Sequence, residues 1–210
     1  MKIAIIGSGN VGKALAAASA RAGHAVTLSA SRPESAAEAA RATGVQAALS
    51  NQEAVLDAEL VILAVPTASV EKLVAELWSN LDGKVVLDTI NRVNYQDPGR
   101  VLDGTSHAER VQERLPKSRV VKALNITFFE RMTSPVIDGM KLDVFVAGDD
   151  KDAKDKAIEF VESIGFRAID AGPLVMARAL EAMALLIITL QIRHGWTRQN
   201  GWKLIGPPKD

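Results

Sequence analysis

The sequence contains no cysteine, which excludes disulfide bonds and any chemistry at a thiolate. It has no excess of either charge, because 25 lysine and arginine residues balance 25 aspartate and glutamate residues. A nucleic-acid partner usually needs a basic patch, so we expect none. Neither metal-ligand spacing nor a G-x-S-x-G motif occurs, and no metal site is predicted. What remains is a 210-residue chain, 48% hydrophobic, long enough to bury the core of one globular domain.

Long hydrophobic runs are also scarce. After Met1 and Lys2 the apolar run before Gly7 is only the four residues IAII, too few for the core of a signal peptide, so we expect a cytoplasmic protein. The most apolar segment, residues 173–192, is interrupted by Arg178 and Glu181, and its uncharged part, residues 182–190, is too short to span a bilayer. A helix that is apolar on nearly all sides is buried on several of them. We therefore predict a core or subunit-interface helix and no membrane partner.

Strand-like and helix-like segments alternate along most of the chain. Strands are predicted at 2–6, 24–28, 45–49, 60–65, 84–89, 119–124, 142–148 and 166–172, and helices at 10–22, 34–42, 51–57, 69–81, 106–115 and 152–164. This alternation predicts an α/β fold, a doubly wound and mostly parallel sheet with helices on both faces. Residues 1–172 are expected to form one such domain, with residues 173–210 as a C-terminal helix and tail packed on it. Residues 90–104 are predicted to form an unusually long loop.

A glycine-rich motif, GSGNVG, lies between the first strand and the first helix. Gly7 allows a tight turn, Gly9 lets the backbone approach a pyrophosphate, and Gly12 lets the helix pack closely on the strand. The free amide groups at the start of the helix then face the phosphates. The alternative is a structural turn without a ligand. The predicted dinucleotide-binding residues here are Gly7, Ser8, Gly9, Asn10, Val11 and Gly12.

The second strand ends without the acidic residue that binds the ribose 2′-hydroxyl of NAD. Ser29, Ser31 and Arg32 stand there instead. A guanidinium binds a 2′-phosphate bidentately and serine hydroxyls add donors, whereas a carboxylate would repel it. We predict that Ser31 and Arg32 select NADP. The alternative is an exposed arginine in a turn before Pro33.

Ligands of such sheets lie beyond the carboxyl ends of the strands, at the point where the strand order reverses. Short polar residues follow several predicted strands: Pro66 and Thr67 the fourth, Asn91 the fifth, Asn125 the sixth and Gly172 the last. These uncharged groups suit the position of a nicotinamide ring.

No catalytic residue is predicted. Asp88 and Asp170 are expected to fix loop backbone rather than to exchange protons. His24, His107 and His194 are expected to be structural, because none of them follows a central strand. Hydride transfer between two bound cofactors needs alignment rather than a general acid, so this absence favours that reaction.

The sequence resembles the NADPH-dependent reductases of the deazaflavin coenzyme F420, over nearly its whole length. The resemblance is carried by IIGSGNVGKALA, SASRPES, VVKALN, VFVAGDD and GFRAIDAGPLVMARALEAMALL. It implies a Rossmann domain with a small C-terminal part and a deazaflavin in the cleft between them. It further implies that Ser8–Val11, Ser31 and Arg32 hold NADP, that Pro66 and Thr67 flank the nicotinamide, and that Asn125, Ile126, Gly172, Pro173 and Leu174 border the second cofactor. The predicted cofactor-binding set also contains Val65, Asn91 and Ala123.

Two positions depart from the pattern of that family. Archaeal members have a histidine where this chain has Asn125, and related chains often have a proline where it has Arg92. The same domain type occurs in ferric reductases, whose partner is a flavin. The second cofactor is accordingly expected to be F420 or a flavin.

Two other functions remain open. The N-terminal half also resembles pyrroline-carboxylate reductases, which favours an imine or hydroxyacid reductase, but about 40 residues are too few for the helical C-terminal domain of those enzymes. The other alternative is a non-catalytic NADPH-binding module that senses redox state, which the thin polar lining of the second site supports.

The C-terminal helix carries two apolar stripes. Leu174, Ala177, Leu180, Leu185 and Ile188 fall near one stripe, and Met183, Leu186, Ile187 and Leu190 cover the other. One stripe suffices for packing on a sheet, and soluble monomers rarely expose a second. We predict a homodimer joined through this helix, with the tail close to it and Trp196 or Trp202 as anchors. The alternative is a monomer whose tail covers the second stripe.

Overall fold

The computed structural model of the chain describes residues 1–92 and 104–206, with an eight-stranded sheet at its centre. The strands of this sheet are β1 (Lys2–Ile6), β2 (Ala25–Ser29), β3 (Gln46–Ala47), β4 (Leu60–Leu63), β5 (Val85–Asp88), β6 (Arg119–Lys122), β9 (Asp143–Gly148) and β10 (Arg167–Gly172). A separate hairpin consists of β7 (Val136–Ile137) and β8 (Met140–Lys141). The helices are α1 (Asn10–Arg21), α2 (Pro33–Thr43), α3 (Asn51–Val55), α4 (Thr67–Leu77), α5 (His107–Arg114), α6 (Phe129–Met132), α7 (Lys151–Ser163) and α8 (Ala177–His194), with a 3-10 turn at Leu174–Met176 before α8.

The strand order is β10-β9-β6-β5-β4-β1-β2-β3. Neighbouring strands run parallel except β6 and β9, which are antiparallel. The order reverses between β1 and β4, which is the switch point of a Rossmann sheet. The predicted mostly parallel, doubly wound sheet is thereby confirmed. Most of the predicted loop at 90–104 lies outside the described residues.

Successive residues of β1 face opposite layers of the domain. Ile3 and Ile5 belong to a core shared with α1, α2 and α7, whereas Ala4 and Ile6 belong to a second core shared with α3, α4 and α5. Both faces are covered, so the central strands read as continuous apolar runs rather than as alternating patterns. This arrangement leaves the carboxyl ends of the central strands as the edge where a ligand can enter.

The structure differs from the sequence-based prediction at three places. The strand expected at 45–49 contains only Gln46 and Ala47, and Leu49 is exposed near a cavity mouth. The hairpin β7–β8 was missed, although Asp138 and Gly139 in its turn form the Asp-Gly pair that favours positive φ angles. Helix α6 was also missed, because four residues are too few to show a helical period.

The chain after α8 first lies beside the end of the helix, where Gln191 Nε2 donates to Asn200 Oδ1, and then returns to the sheet. The backbone amide of Asp143 donates to Trp202 O at 3.0 Å, and the Asp143 carboxylate accepts from Leu204 N at 2.6 Å and from both sides of the Arg167 guanidinium. Trp196 is half exposed and stacks on His194. The tail is therefore anchored at the start of β9, and Trp202 rather than Trp196 lies at the anchor.

The apolar C-terminal helix meets the length and composition expected of a membrane span. The segment Leu174–His194 has a mean hydropathy of 1.8. The core helix of a soluble protein can have the same length and composition. Its Glu181 side chain is buried in an ion pair with Lys122 of β6. This buried ion pair with the sheet agrees with the prediction of a core helix.

Candidate cofactor site

Each glycine of the GSGNVG loop has a distinct steric role. Gly7 has a φ of +123°, and a Cβ there would lie 2.2 Å from Ala64 O. A Cβ on Gly12 would lie 1.8 Å from Gly7 O, so only glycine allows α1 to approach the loop. A Cβ on Gly9 would meet no atom within 4 Å. Gly9 also begins α1 without a side-chain cap, so the positive end of the helix faces open space.

That open space is a cleft of about 710 Å³ beyond the carboxyl ends of β1, β2 and β4. It is lined by Ile6, Gly7, Ser8, Gly9, Ala30, Ser31, Pro33, Leu49, Ser50, Asn51, Ala64, Val65, Pro66, Ala68, Ser69, Lys72, Leu73 and Glu76. The structure thus brings the glycine loop together with Ser31, Val65 and Pro66. Asn10 is exposed in the first turn of α1, next to this cleft. A cavity of similar volume lies at the amino ends of β1–β3, where sheets of this type do not bind ligands.

The two serines at the end of β2 have different environments. Ser29 is buried, and its hydroxyl donates to Asn51 Oδ1 at 2.8 Å, so it is structural. Ser31 lines the cleft. Arg32 is exposed at the start of α2, adjacent to the lining residues, and forms no ion pair within the described parts of the chain. Its guanidinium is therefore available to a ligand in the cleft.

The cleft also contains residues that the sequence analysis missed. Lys72 and Glu76 come from α4, and Glu76 accepts hydrogen bonds from Asn51 Nδ2 at 3.2 and 3.3 Å. No local motif marks these residues, because helices remote in sequence bring them to the cleft. Their charges oppose each other, so the field in the cleft depends on the helix dipole and on Arg32.

A second, smaller cavity of about 160 Å³ lies beside the first turn of α1. It is lined by Val11, Thr89, Asn91, Leu124, Asn125, Ile126, Thr127, Phe128, Phe129, Met132, Ala184, Ile187 and Ile188. It therefore collects Val11, Asn91, Asn125 and Ile126 of the predicted set between the ends of β5 and β6 and the helix α8. Titratable groups are absent from this lining among the described residues.

Two asparagines hold each other at the polar side of this small cavity. Asn125 Nδ2 donates to Asn91 Oδ1 at 2.8 Å and to Leu180 O at 3.0 Å, and Asn91 Nδ2 donates to Asn125 O at 2.7 Å. Asn125 Oδ1 is buried and has no hydrogen-bond partner in residues 1–92 and 104–206. Leu124, one residue earlier, has a φ of +62°, which is unusual outside glycine and often found at functional sites.

The remaining predicted residues lie elsewhere. Thr67 Oγ1 donates to Asn91 O at 3.1 Å, and its side chain lines a separate cavity between α4 and α5. Ala123 is fully buried. Gly172 ends the edge strand β10, Pro173 and Leu174 follow it, and Leu174 N donates to Asp149 Oδ1. In the described structure, neither the cleft nor the small cavity is lined by Ala123, Gly172, Pro173 or Leu174.

Beneath the small cavity lies a cluster of buried charges. Lys122 is fully buried, and its Nζ lies 2.9 Å from Asp88 Oδ2 and 3.0 Å from Glu181 Oε1, with a further bond to Ile90 O. His107 Nδ1 lies 3.0 Å from Asp88 Oδ2, and its backbone amide donates to Glu181 Oε1 at 2.7 Å. Burial by itself raises the pKa of Asp88, but the charge of Lys122 and the hydrogen bond from His107 lower it below its ordinary value.

This cluster was not predicted, although the sequence contains a signal of it. Lys122 stands in the otherwise apolar strand segment VVKAL, and Glu181 stands in the most apolar helix. A charged residue inside a segment that must be buried implies a partner. The prediction that Asp88 fixes loop backbone agrees with its bond from Ile90 N, and His107 likewise has a structural partner.

The comparisons with known proteins identify a family for this chain. A family described as NADP oxidoreductase, coenzyme F420-dependent, matches residues 2–92. The F420-dependent NADP reductase of Methanocaldococcus jannaschii is 32% identical, with 92% of this chain and 94% of that protein covered. The crystal structure of a putative F420-dependent NADP reductase from Arthrobacter sp. FB24 has a TM-score of 0.82 and 30% identity, covering 93% of this chain and 95% of that one. Metalloreductase STEAP3 of Rattus norvegicus is 28% identical over 89% of this chain but only 37% of its own length.

Proposed function

The chain belongs to the family of F420-dependent NADP oxidoreductases, and from this premise we propose that it transfers a hydride between NADP(H) and a deazaflavin or flavin acceptor. The observation that carries the proposal is the pair of adjacent cavities. One has the steric and electrostatic features of a dinucleotide cleft, and the other is an apolar slot with two asparagines and no titratable lining group among the described residues.

The cleft fits the NADP half of the reaction. A pyrophosphate can approach Gly9, where even a Cβ would meet no protein atom, and the amide groups of α1 then face it. Ser31 and Arg32 are proposed to bind the 2′-phosphate, because no acidic residue stands between the end of β2 at Ser29 and the start of α2. The proposed NADP-binding residues are Gly7, Ser8, Gly9, Asn10, Val11, Gly12, Ser31, Arg32, Val65, Pro66 and Thr67.

The small cavity fits the place where the two cofactors meet. Val11 connects it to the glycine loop, and about 160 Å³ is well below the roughly 300–1,000 Å³ of a complete small-molecule site. We therefore propose that it receives the nicotinamide ring and that the larger acceptor ring lies at its mouth. Asn91, Ala123, Asn125, Ile126, Gly172, Pro173 and Leu174 remain the proposed residues around the acceptor.

Bound NADPH supplies the hydride, and the proton that the reduced acceptor also needs comes from water. The protein contributes alignment and exclusion of water rather than acid–base chemistry. Phe129, Ile187 and Ile188 provide an apolar wall, while Asn91 and Asn125 provide fixed amide dipoles at the opposite side. Rings held parallel and in one register by such a slot lose little further freedom on reaching the transition state.

The acceptor itself is tested by an oxidation assay. NADPH is incubated with the protein and with F420, FMN, FAD or a ferric chelate, and the loss of absorbance of NADPH and of each acceptor is followed. We expect reduction of F420 or of a flavin. Turnover with a ferric chelate only in the presence of a flavin would favour the ferric-reductase alternative, to which the similarity with STEAP3 points. Tight NADPH binding without reduction of any acceptor would favour the redox sensor.

We also propose a cytoplasmic homodimer that forms through α8. Leu186 and Ile192 on this helix are 49% and 69% exposed, and Val175 and Met176 before it are 44% and 40% exposed. The second predicted stripe is only partly available, because Ile187 is buried against the small cavity. We propose that a partner subunit covers some of these exposed apolar side chains.

A further inference from the structure

Lys122 and Asn125 hold the same two pairs of neighbouring residues. The first pair is Ile90 and Asn91 at the end of β5, and the second is Leu180 and Glu181 in α8. In each pair, Lys122 contacts one member and Asn125 contacts the other. This double attachment connects the buried charge cluster to the small cavity.

At the first pair, Lys122 Nζ donates to Ile90 O and Asn125 Nδ2 donates to Asn91 Oδ1 at 2.8 Å. The backbone oxygen of Asn125 also accepts from Asn91 Nδ2 at 2.7 Å. A shift of Lys122 would therefore move the peptide group that carries Asn91.

At the second pair, Lys122 Nζ lies 3.0 Å from Glu181 Oε1 and Asn125 Nδ2 donates to Leu180 O at 3.0 Å. The carboxylate of Glu181 also accepts from the backbone amide of His107, which fixes its position from the other side. The turn of α8 that carries Leu180 is therefore held by Lys122 against β6.

These contacts determine the orientation of the Asn125 amide. A backbone carbonyl can only accept a hydrogen bond, so the atom that faces Leu180 O must be the nitrogen. Both hydrogens of that nitrogen are then used, and the amide cannot rotate without losing both bonds. Asn125 Oδ1 consequently remains fixed, buried and without a donor in the described part of the chain. A buried acceptor without a donor is rare in native structures and calls for a ligand or a water.

We propose that Asn125 Oδ1 accepts a hydrogen bond from the carboxamide N–H of the nicotinamide, and that Lys122 is the positioning residue that holds it there. The inference rests on the proposed binding of NADP in the adjacent cleft. The small cavity has room for a nicotinamide and reaches the glycine loop through Val11. A buried lysine in a merely stabilising role is replaceable by an apolar residue, whereas this one spans two segments that both contact Asn125.

The decisive probe is the oxidised 3-acetylpyridine analogue of NADP, in which an acetyl group replaces the carboxamide and no N–H donor remains. Equilibrium binding of NADP and of this analogue is measured by titration calorimetry. We expect the wild-type protein to prefer NADP by about 3- to 10-fold, the value of one hydrogen bond. Asn125→Ala should bind both ligands equally. Equal binding by the wild-type protein, or an unchanged preference in Asn125→Ala, would overturn the assignment of Asn125.

The role of Lys122 is tested by the same measurement, the ratio of the affinities for NADP and for the acetylpyridine analogue. A general loss of stability does not change this ratio. Lys122→Met and Glu181→Gln should both reduce the preference for NADP, although neither side chain lines the cavity. If Lys122→Met does not fold, Glu181→Gln decides, because it keeps the size of the side chain and removes the charge that faces Lys122 at 3.0 Å and Arg92 at 3.6 Å. Arg178→Gln is the matched control. Arg178 lies in the same helix as Glu181, is half exposed, and forms an ion pair with Glu109 of α5. If folded Glu181→Gln prefers NADP over the analogue as strongly as the wild-type protein does, the positioning role of Lys122 is overturned.

The outcomes separate this inference from the proposed function. Failure of the wild-type protein to bind NADP would contradict the proposed function. Binding of NADP with reduction of an acceptor, but without discrimination against the acetyl analogue, would contradict only the inference.

Discussion

Asp88 and Lys122 lie opposite each other in the parallel register of β5 and β6, with Oδ2 and Nζ 2.9 Å apart and both side chains fully buried. Paired residues of neighbouring strands project to the same face, so the register alone brings the two charges together. Glu181 of α8 supplies the second carboxylate for the same ammonium group. The cluster thus connects the sheet to the C-terminal helix at the edge where the proposed cofactors meet.

Removal of Lys122 should destabilise the protein strongly. Lys122→Met removes the buried ammonium group from Asp88 and Glu181 and leaves Glu181 only its longer pair with Arg92 at 3.6 Å. Breaking a buried pair in this way costs about 3–5 kcal/mol of the free energy of unfolding. Lys117→Met is the control, because its pair with Asp82 is exposed and such pairs are worth about 0–1 kcal/mol. Urea unfolding measures both. Equal losses in the two variants would show that the buried cluster contributes nothing special to stability.

Arg32 should determine the preference for NADPH over NADH. Arg32→Glu removes a charge-assisted bond worth roughly 1.5–3 kcal/mol, so NADPH binding should weaken about 10- to 150-fold while NADH binding is spared. Arg41→Glu makes the same charge change at the exposed end of α2 and should have little effect. Titration calorimetry compares the two cofactors. Equal affinity of the wild-type protein for NADPH and NADH would remove the basis of the prediction.

Gly9 and Gly12 should respond oppositely to the same substitution. Gly12→Ala places a Cβ 1.8 Å from Gly7 O, so it should lower the free energy of unfolding by about 1–3 kcal/mol. Gly9→Ala meets no protein atom and should fold with nearly unchanged stability, but its methyl group occupies the approach of the pyrophosphate. Its affinity for NADPH should fall by about tenfold or more, a loss of at least ~1.4 kcal/mol. Thermal unfolding and calorimetry together separate the two effects, and normal NADPH binding by Gly9→Ala would argue against the cleft.

Glu109 should contribute stability that disappears in acid. Hydrogen bonds from Arg178, opposed in part by burial and aided by the amide and hydroxyl of Ser106, lower the pKa of Glu109 to about 2. A lowered pKa means that the contribution is complete above the ordinary glutamate range and is lost as the pH falls towards 2. The difference in unfolding free energy between the wild-type protein and Glu109→Gln should therefore be constant near neutrality and shrink below about pH 4.5. A difference that does not change between about pH 6 and about pH 2 would contradict the ion pair.

Leu186→Glu should dissociate the proposed dimer. The substitution places a charge on the exposed apolar surface of α8, where burial in an interface would be costly. Light scattering should show twice the chain mass of 22.4 kDa for the wild-type protein and a single chain mass for the variant. Leu56→Glu, at an exposed position remote from α8, should remain dimeric. A wild-type mass of one chain at micromolar concentration would exclude the dimer.

Local patterns account for what could be predicted about the fold. The alternation of apolar strands with helices specified the doubly wound sheet. The helix predicted at 106–115 is present as α5, and a capping box of Ser106 and Glu109 marks its start. The glycine loop could also be interpreted locally, since the steric need at Gly7 and Gly12 arises within a strand, a turn and a helix that follow directly along the chain. Short elements such as α6 were not predicted, because they contain too few residues to show a helical period.

The sequence by itself determined the type of sheet, the position of the dinucleotide loop and the absence of an acid after β2, because each depends on residues close together in the chain. Only the tertiary structure decided which distant residues meet. Lys122 reaches Asp88 across 34 positions and Glu181 across 59, and β10 carries Gly172 to the edge of the sheet, away from the cleft. Strand register and the path of α8 bring such residues together or keep them apart, and neither is encoded in the spacing of residues along the chain.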